Sequence, residues 1–450
     1  MTSSQQFNIA YILRLSLVAT LGGLLFGYDI AVISGAIPFI TEYFNLAEWW
    51  KGFVVSGVYL GCMVGAGLTG RFSDHYGRKK MLIISAVLFA VSAVGSGMAE
   101  SLSAFFIYRL IGGLGVGMAS MLSPMYIAEI TPAKIRGRFV ALNQFAIVIG
   151  ILTAYFVNYL LLSIGENSWR WMFIAEAVPS VIFFAAMIFV PETPRFLTKQ
   201  GNFEMAHRIL CKIGPREFAD YTLKEIQNSV RTEIKGDFKQ LIHRSLRMVL
   251  VIGMILAFFQ QWSGINVIFF YAPDIFAKTG AGIESQLFQT VIIGTMNVFF
   301  TLLAMWLVEI LGRKALLLMS STGMALSYLV IGSLFYFDNL SGYILLTFAL
   351  TAVASYSLGL APVTWVILSE IFPNRIRGQA MAVATFALWT GTFTLTLTFP
   401  VFMEHLQGAY TFWMYGIICV LGFLFILKVL PETKGKTLEE LEKILTKKSS

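Results

Sequence analysis

The sequence predicts an all-α membrane protein: twelve transmembrane helices in two six-helix bundles, joined by a short cytosolic helical linker. Three observations predict it. The 450 residues are 57% hydrophobic and only 13% charged, whereas a soluble domain carries about 25% charged residues. The apolar residues fall in runs of roughly 20, the length at which a helix spans a bilayer. The chain also repeats itself. Glu129-Ile130-Thr131-Pro132-Ala133-Lys134-Ile135-Arg136-Gly137 returns as Glu370-Ile371-Phe372-Pro373-Asn374-Arg375-Ile376-Arg377-Gly378. Asp74-His75-Tyr76-Gly77-Arg78-Lys79 returns as Glu309-Ile310-Leu311-Gly312-Arg313-Lys314, and Pro191-Glu192-Thr193 as Pro431-Glu432-Thr433. The offsets are 241 (129 to 370), 235 (74 to 309) and 240 (191 to 431). Duplicated halves beside apolar runs are a common plan of membrane transporters.

The spans run in order. In residues 1–195 they cover 10–34, 52–70, 81–99, 103–125, 138–162 and 171–190. The first is no cleavable signal: it lacks a basic leader and contains Asp29. Gly57, Gly61 and Gly65 in the second, with Gly113 and Gly117 in the fourth, stand four apart, a spacing that lets helix backbones approach. Residues 196–246 are rich in charge and predict two to four short helices, with amphipathic stretches at 203–211 and 223–234. In residues 247–450 the spans cover 247–271, 286–308, 315–336, 343–368, 379–402 and 410–430. Gly359 and Pro362 predict a break in the tenth span. A surface helix is expected at 437–445.

The net charge of +8 does not point to nucleic acid, because the basic residues sit in alternate loops. Arg71, Arg78, Lys79 and Lys80 follow the second span, Lys134, Arg136 and Arg138 the fourth, Arg313 and Lys314 the eighth, Arg375 and Arg377 the tenth. The other loops hold little beyond Lys51, Arg170 and Lys278. The positive-inside rule therefore puts both termini in the cytosol. Cys62, Cys211 and Cys419 are isolated, and His75, His207, His243 and His405 form no metal or catalytic set, so no metal, cofactor or enzymatic activity is expected.

Acids and arginines at the inner helix ends predict ion-pair networks that gate the cytosolic side. Glu129 with Arg71 or Arg138, and Glu370 with Arg313 or Arg377, are the candidate sets. Arg78, Arg136, Glu192, Arg195, Glu309 and Glu432 complete the motifs. Topology alone would explain the cations but not a glutamate repeated at fixed spacing.

The spans also carry amides and charges. Amides donate and accept, and aromatic faces cover apolar surface, so the two together suit an uncharged ligand rich in hydroxyls. Span 7 supplies Gln260, Gln261 and Asn266 around Gly264; Gln144, Asn297, Trp365 and Trp389 come from spans 5, 8, 10 and 11. One buried amide alone reads as a helix–helix hydrogen bond; the cluster opposite Gln144 does not. Asp29 in span 1 and Arg109 in span 4 lie at similar depth on antiparallel spans and are placed to meet. An intramembrane charge is a functional candidate by default.

These residues resemble the sugar porter branch of the major facilitator superfamily over essentially the full length. The motifs are Gly70-Arg71 through Lys80, Pro124 through Glu129, Arg136-Gly137-Arg138, Pro191-Glu192-Thr193-Pro194-Arg195, Gln260 through Asn266, and Pro431 through Gly435. The resemblance implies the major facilitator fold around one alternating site. It implies that Gln144, Gln260, Gln261, Asn266 and Trp365 match sugar-binding positions, and that Asn297, Phe26 and Trp389 line the cavity. Departures are Phe270 where relatives often have tyrosine, and Leu388 and Ile151 where xylose symporters have glutamine, which favours a hexose. Proton-coupled members carry an aspartate at Asp29 with a partnered arginine, so Asp29 and Arg109 imply proton coupling, with Glu176 a secondary relay.

The expectation is a proton-coupled monosaccharide (hexose or pentose) symporter in a plasma membrane, most simply a bacterial inner membrane. Its partners are sugar, proton and lipid bilayer, and it works as a monomer. A uniporter of the same fold is the alternative; a sugar sensor is disfavoured by the short tail. One proton moving down about 100 mV supplies about 2.3 kcal/mol, roughly fiftyfold in sugar concentration.

Overall fold

The computed structural model describes residues 7–231, 244–372 and 377–434, and among them there is no β-strand. The N-terminal half holds α1 (Ile9–Tyr43), α2 (Glu48–Tyr76), α3 (Arg78–Gly97), α4 (Leu102–Ile130), α5 (Arg136–Leu161), α6 (Ser168–Ile174) and α7 (Ala177–Ile188). Three linker helices follow: α8 (Pro194–Lys199), α9 (Phe203–Ile213) and α10 (Arg216–Arg231). The C-terminal half holds α11 (Arg244–Trp262), α12 (Ile265–Ala277), α13 (Ile283–Leu311), α14 (Arg313–Tyr336), α15 (Gly342–Leu358), α16 (Leu360–Ile371), α17 (Arg377–His405) and α18 (Gln407–Val429). Taken as continuous rods, with α6–α7, α11–α12 and α15–α16 each one broken rod, twelve are long and apolar enough to cross a membrane.

The breaks have local causes. Gly264 sits at φ +88°, a left-handed conformation that side chains disfavour, and it ends α11. Gly359 turns the chain between α15 and α16, with Pro362 just inside α16. On α12, Tyr271 departs from helical angles two residues before Pro273. The first span runs to Tyr43, well beyond residue 34, and the seventh to Ala277, beyond residue 271.

Glycine sets the closest packing in the N-terminal half. A Cβ on Gly113 of α4 would drive into the Val58 carbonyl of α2, and one on Gly117 into that of Cys62. The α2 and α4 backbones therefore touch, as the four-residue spacing predicts. On α7, Val178, Val181 and Ile182 are more than half exposed; in a bilayer such faces meet lipid.

The linker helices dock on the start of the chain. Thr193 caps α8 and Asn202 caps α9. The Asn8 N–H donates to the Ile213 carbonyl at 2.9 Å, and Phe7 meets Phe218 edge-on at 5.1 Å. The start of α1 and the linker thus share one face, called here the linker face. Residues 232–234 and the surface helix expected at 437–445 lie outside the described residues.

Candidate functional site

The centre of the molecule lies at the two breaks of the C-terminal half. Gln260 and Gln261 end α11 and Asn266 begins α12. All three are buried. The Gln260 amide Nε2 donates to the Leu360 and Ala361 carbonyls at 2.8 and 3.1 Å, and its Oε1 accepts from Gln261 Nε2 at 3.3 Å. Asn266 Nδ2 donates in turn to Gln261 Oε1. Gln144 on α5 and Trp365 on α16 are half-buried, and among the described residues no side-chain hydrogen bond engages the Gln144 amide. Asn297 is engaged differently: its Oδ1 accepts from Ser357 Oγ of α15 at 2.7 Å, a helix–helix bond.

Aromatic rings from both halves meet beside these amides. Phe26 of α1 lies 5.8 Å from Trp389 of α17, Tyr59 of α2 stacks on Trp389 at 6.0 Å, and Tyr59 lies 5.9 Å from Phe270 of α12. Trp389 Nε1 is buried with no hydrogen-bond partner among the described residues. The arrangement offers carbon faces to a ring and an unused N–H to a hydroxyl. An apolar groove of about 590 Å³, lined by Val87, Val91, Met98, Val181 and Phe184 of α3 and α7, holds none of these groups.

The buried charges meet as the sequence predicts. Asp29 and Arg109 are both fully buried; the guanidinium binds the carboxylate, and its Nη2 donates to the Asp29 carbonyl at 3.0 Å. Phe173 covers the guanidinium, with its ring centre 5.4 Å away. Glu176, at the α6–α7 break, is within electrostatic reach of both. Among the described residues neither of its oxygens has a hydrogen-bond partner, and Asp29 Oδ2 has none either. An ionised carboxylate sealed without donors is costly, so this cluster holds two acids against one cation.

The halves are bonded to each other on the face opposite the linker. Tyr155 of α5 donates its hydroxyl to the Phe269 carbonyl of α12 at 2.6 Å. Pro273 explains the vacancy at that carbonyl: proline has no N–H to return to residue i−4. Lys51 of α2 bridges Asp274 of α12 at 3.2 Å, with Glu48 also at 3.2 Å. Neither link is predicted by the sequence, in which Lys51 is one of few charges in the sparsely charged loops.

On the linker face the repeated motifs form two matched networks. In the N-terminal half Arg78 binds Glu129 at 3.0 Å and Asp74 at 3.2 Å, and Lys199 reaches Asp74 at 3.1 Å. In the C-terminal half Arg313 binds Glu370 at 3.2 Å and Glu309 at 3.4 Å. The partner of Glu129 is therefore Arg78, not Arg71 or Arg138. Arg71, Arg136 and Arg138 project outward and form no ion pair with described residues. Arg78 is chosen because Gly77, at φ +97°, swings the chain so that α3 begins beside Glu129. Arg195 is half-buried in the first turn of α8; the Arg377 side chain lies outside the described residues. None of these ion pairs joins one half to the other, and Lys199 brings linker helix α8 to the N-terminal set.

Glu192 and Glu432 are the twin anchors. Glu192 accepts the Lys79 N–H at 3.1 Å and the Thr193 N–H at 2.8 Å. Glu432 accepts four, from Arg313, Lys314, Thr433 and Lys434, at 2.9 to 3.1 Å. Burial pushes the Glu192 carboxyl above its ordinary range, and the N–H groups and Arg78 do not fully offset it. At Glu432 burial also pushes upward, but the four N–H groups win and hold it below its ordinary value. Thr193 donates to Glu129 at 2.5 Å, whereas Thr433 Oγ1 and Glu370 Oε2 are both buried without partners among the described residues.

Comparisons with known proteins agree with this architecture. The arabinose-proton symporter of Bacillus subtilis (strain 168) is 40% identical over 450 residues, covering 99% of this chain and 97% of the relative. The D-xylose-proton symporter of Escherichia coli (strain K12) is 42% identical over 475 residues, covering 97% and 96%. Among solved structures, the proton:xylose symporter XylE bound to 6-bromo-6-deoxy-D-glucose matches with a TM-score of 0.83 at 42% identity, covering 97% of this chain and 100% of that one. The inward open conformation of XylE from E. coli matches with a TM-score of 0.86 at 41% identity, covering 96% and 100%. A family model described as sugar (and other) transporter matches residues 15–445, and the chain belongs to that sugar transporter family of the major facilitator superfamily.

Proposed function

We propose that this protein is a proton-coupled monosaccharide symporter working by alternating access. The observation that carries the coupling is the sealed Asp29–Arg109 pair with Glu176 beside it. Two acids and one cation give the cluster a place for one exchangeable proton. Protonating Asp29 weakens its hold on Arg109, and Arg109 is carried by α4 while Asp29 is carried by α1. Sugar binds between Gln144 of one half and Gln261 and Asn266 of the other, against Trp365, Trp389 and Phe26. Gln260 and Asn297 support the same cavity from behind. The named sugars of the relatives, arabinose and xylose, bring pentoses into the substrate class beside hexoses.

The basic loops support a cytosolic linker face, with both termini inside the cell and the chain in a plasma membrane. The Tyr155 and Lys51 links, both on the other face, support a state closed to the outside. From there the cytosolic networks in each half, built on Arg78 and Arg313, brace the inner helix ends as the halves rock.

The deciding experiment uses proteoliposomes. Asp29→Asn is expected to lose uphill accumulation driven by a pH gradient while sugar counterflow persists; accumulation that survives the substitution overturns proton coupling and leaves uniport. Counterflow with labelled hexoses and pentoses tests the substrate class, and competition by no monosaccharide would refute it.

A further inference from the structure

We propose that Ser92 of α3 is a positioning residue of the proton site: its hydroxyl serves the free oxygen of Asp29, the one that takes the exchangeable proton. The inference rests on the reading of Asp29 as the proton carrier. A serine within a helix can satisfy its hydroxyl on the carbonyl three or four residues back. Ser85, two turns earlier on the same face of α3, does so on Leu82 at 2.8 Å, and Ser180, Ser321 and Ser327 do so at 2.8 to 2.9 Å. Ser92 does not. It is 1% exposed, and its Oγ has no hydrogen-bond partner among the described residues. A hydroxyl sealed in an apolar span without a partner is costly, so its direction needs a cause.

Gly112 of α4 shows where that hydroxyl lies. A Cβ on Gly112 would run into Ser92 Oγ and stand 2.9 Å from Asp29 Oδ2. Both oxygens are thus within 2.9 Å of one point, no more than one bridging water apart. Asp29 Oδ2 is itself unmet among the described residues, because Arg109 takes Oδ1 and the main-chain carbonyl. The other charged or titratable groups within electrostatic reach of Asp29 are Arg109 of α4, Glu176 at the α6–α7 break, and Tyr59 and Cys62 of α2. From α3 comes only the neutral hydroxyl of Ser92, since its charged residues are confined to its first turn. A hydroxyl both donates and accepts. It donates to Oδ2 while Asp29 is a carboxylate and accepts from Oδ2–H once the proton has bound; a methyl or a cation cannot meet both states. The proton comes from water and returns to water, and Ser92 keeps its own. Gly112, having no side chain, leaves the two oxygens open to each other.

The test reads proton-driven uptake by the full chain in proteoliposomes across a range of external pH, with D-xylose and D-glucose as probes. A hydrogen bond to a carboxylate is stronger than one from a neutral acid, so without the hydroxyl the proton stays bound into more alkaline solution. Ser92→Ala is expected to raise the pH of half-maximal driven uptake by about half a unit to one unit. Ser92→Thr, which keeps the hydroxyl, is expected to restore the parent profile. Gly112→Ala, which pushes the Ser92 hydroxyl aside, is expected to move the profile as Ser92→Ala does and serves if that variant does not insert. If neither Ser92→Ala nor Gly112→Ala moves the profile, or if Ser92→Thr moves it as far as Ser92→Ala, the inference fails while the proton site stands. Uptake and counterflow that fall by one common factor at every pH would mark a packing role and also overturn it. If Asp29→Asn still accumulates sugar, the reading of Asp29 fails and takes the inference with it.

Discussion

The Tyr155 hydroxyl lies 2.6 Å from the Phe269 carbonyl, the acceptor on α12 that Pro273 leaves without an N–H four residues on. One half of the protein thereby completes the hydrogen bonding of the other. Leaving a buried acceptor unmet costs about 1–3 kcal/mol. Tyr155→Phe is therefore expected to favour the outward-open arrangement by roughly five- to a hundredfold. Spin labels on the α1–α2 and α12–α13 connections should report longer distances; unchanged distances would show that the bond does not hold this face closed.

Lys51 and Asp274 add a second link on the same face. The pair is partly shielded, with side chains 12% and 27% exposed, so its worth lies between that of a surface pair and a sealed one, about 1 kcal/mol. Lys51→Ala and Asp274→Asn should each shift the equilibrium outward, and the double variant by less than their sum. Full additivity in the same spin-label measurement would mean that the two charges do not act as a pair.

Arg109→Gln leaves Asp29 buried with no counter-charge and should destabilise the protein by about 3–5 kcal/mol. Adding Asp29→Asn removes the stranded charge. The double variant should therefore melt at a higher temperature than Arg109→Gln alone in detergent thermal unfolding, and a lower or equal melting point would contradict the pairing.

The two anchor glutamates should respond to acid in sequence. A carboxyl held above its ordinary pKa favours the neutral form in the folded state, so Glu192 takes up its proton first as pH falls and releases the Lys79 and Thr193 N–H groups. A carboxyl held below its ordinary pKa stabilises the fold above its unfolded pKa, and that stabilisation is lost only as pH falls through the lower, folded value. Glu432 should therefore keep its four donors longer. Amide exchange protection at Lys79 should fall at a higher pH than at Lys314; the reverse order would refute the assignment.

What the sequence made legible is what covalent pattern carries. The twelve apolar runs, the repeated E-I-x-P-x-[K/R]-I-R-G motif and the break at Gly359 follow from composition, spacing and backbone chemistry, whereas the sequence leaves the seventh span, broken at Gly264, continuous. The Asp29–Arg109 contact was legible because two isolated charges at one depth in lipid have few other choices. The inter-half links were not. Tyr155 and Phe269 are 114 residues apart and Lys51 and Asp274 are 223 apart, and none of the four lies in a repeated motif. Only the docking of the halves brings them together. The signal available was Pro273 in an apolar span, which announces an orphaned carbonyl without naming its donor. Likewise Gly77 decided for Arg78 over Arg71 as partner of Glu129 through a backbone turn that residue counting does not see.

The glycine contacts between α2 and α4 have a mechanical consequence. With Gly113 and Gly117 seated directly on the Val58 and Cys62 carbonyls, the two helices have no side chains between them to yield, and they turn as one stiff lever. One arm of that lever carries Lys51 near its tip, and the other carries Arg109 in its first third. A change in the grip on Arg109 is therefore a torque on the Lys51 end, transmitted through bare backbone. The smallest residues in the chain thus make a stiff link between the Asp29–Arg109 pair and the Lys51–Asp274 bridge.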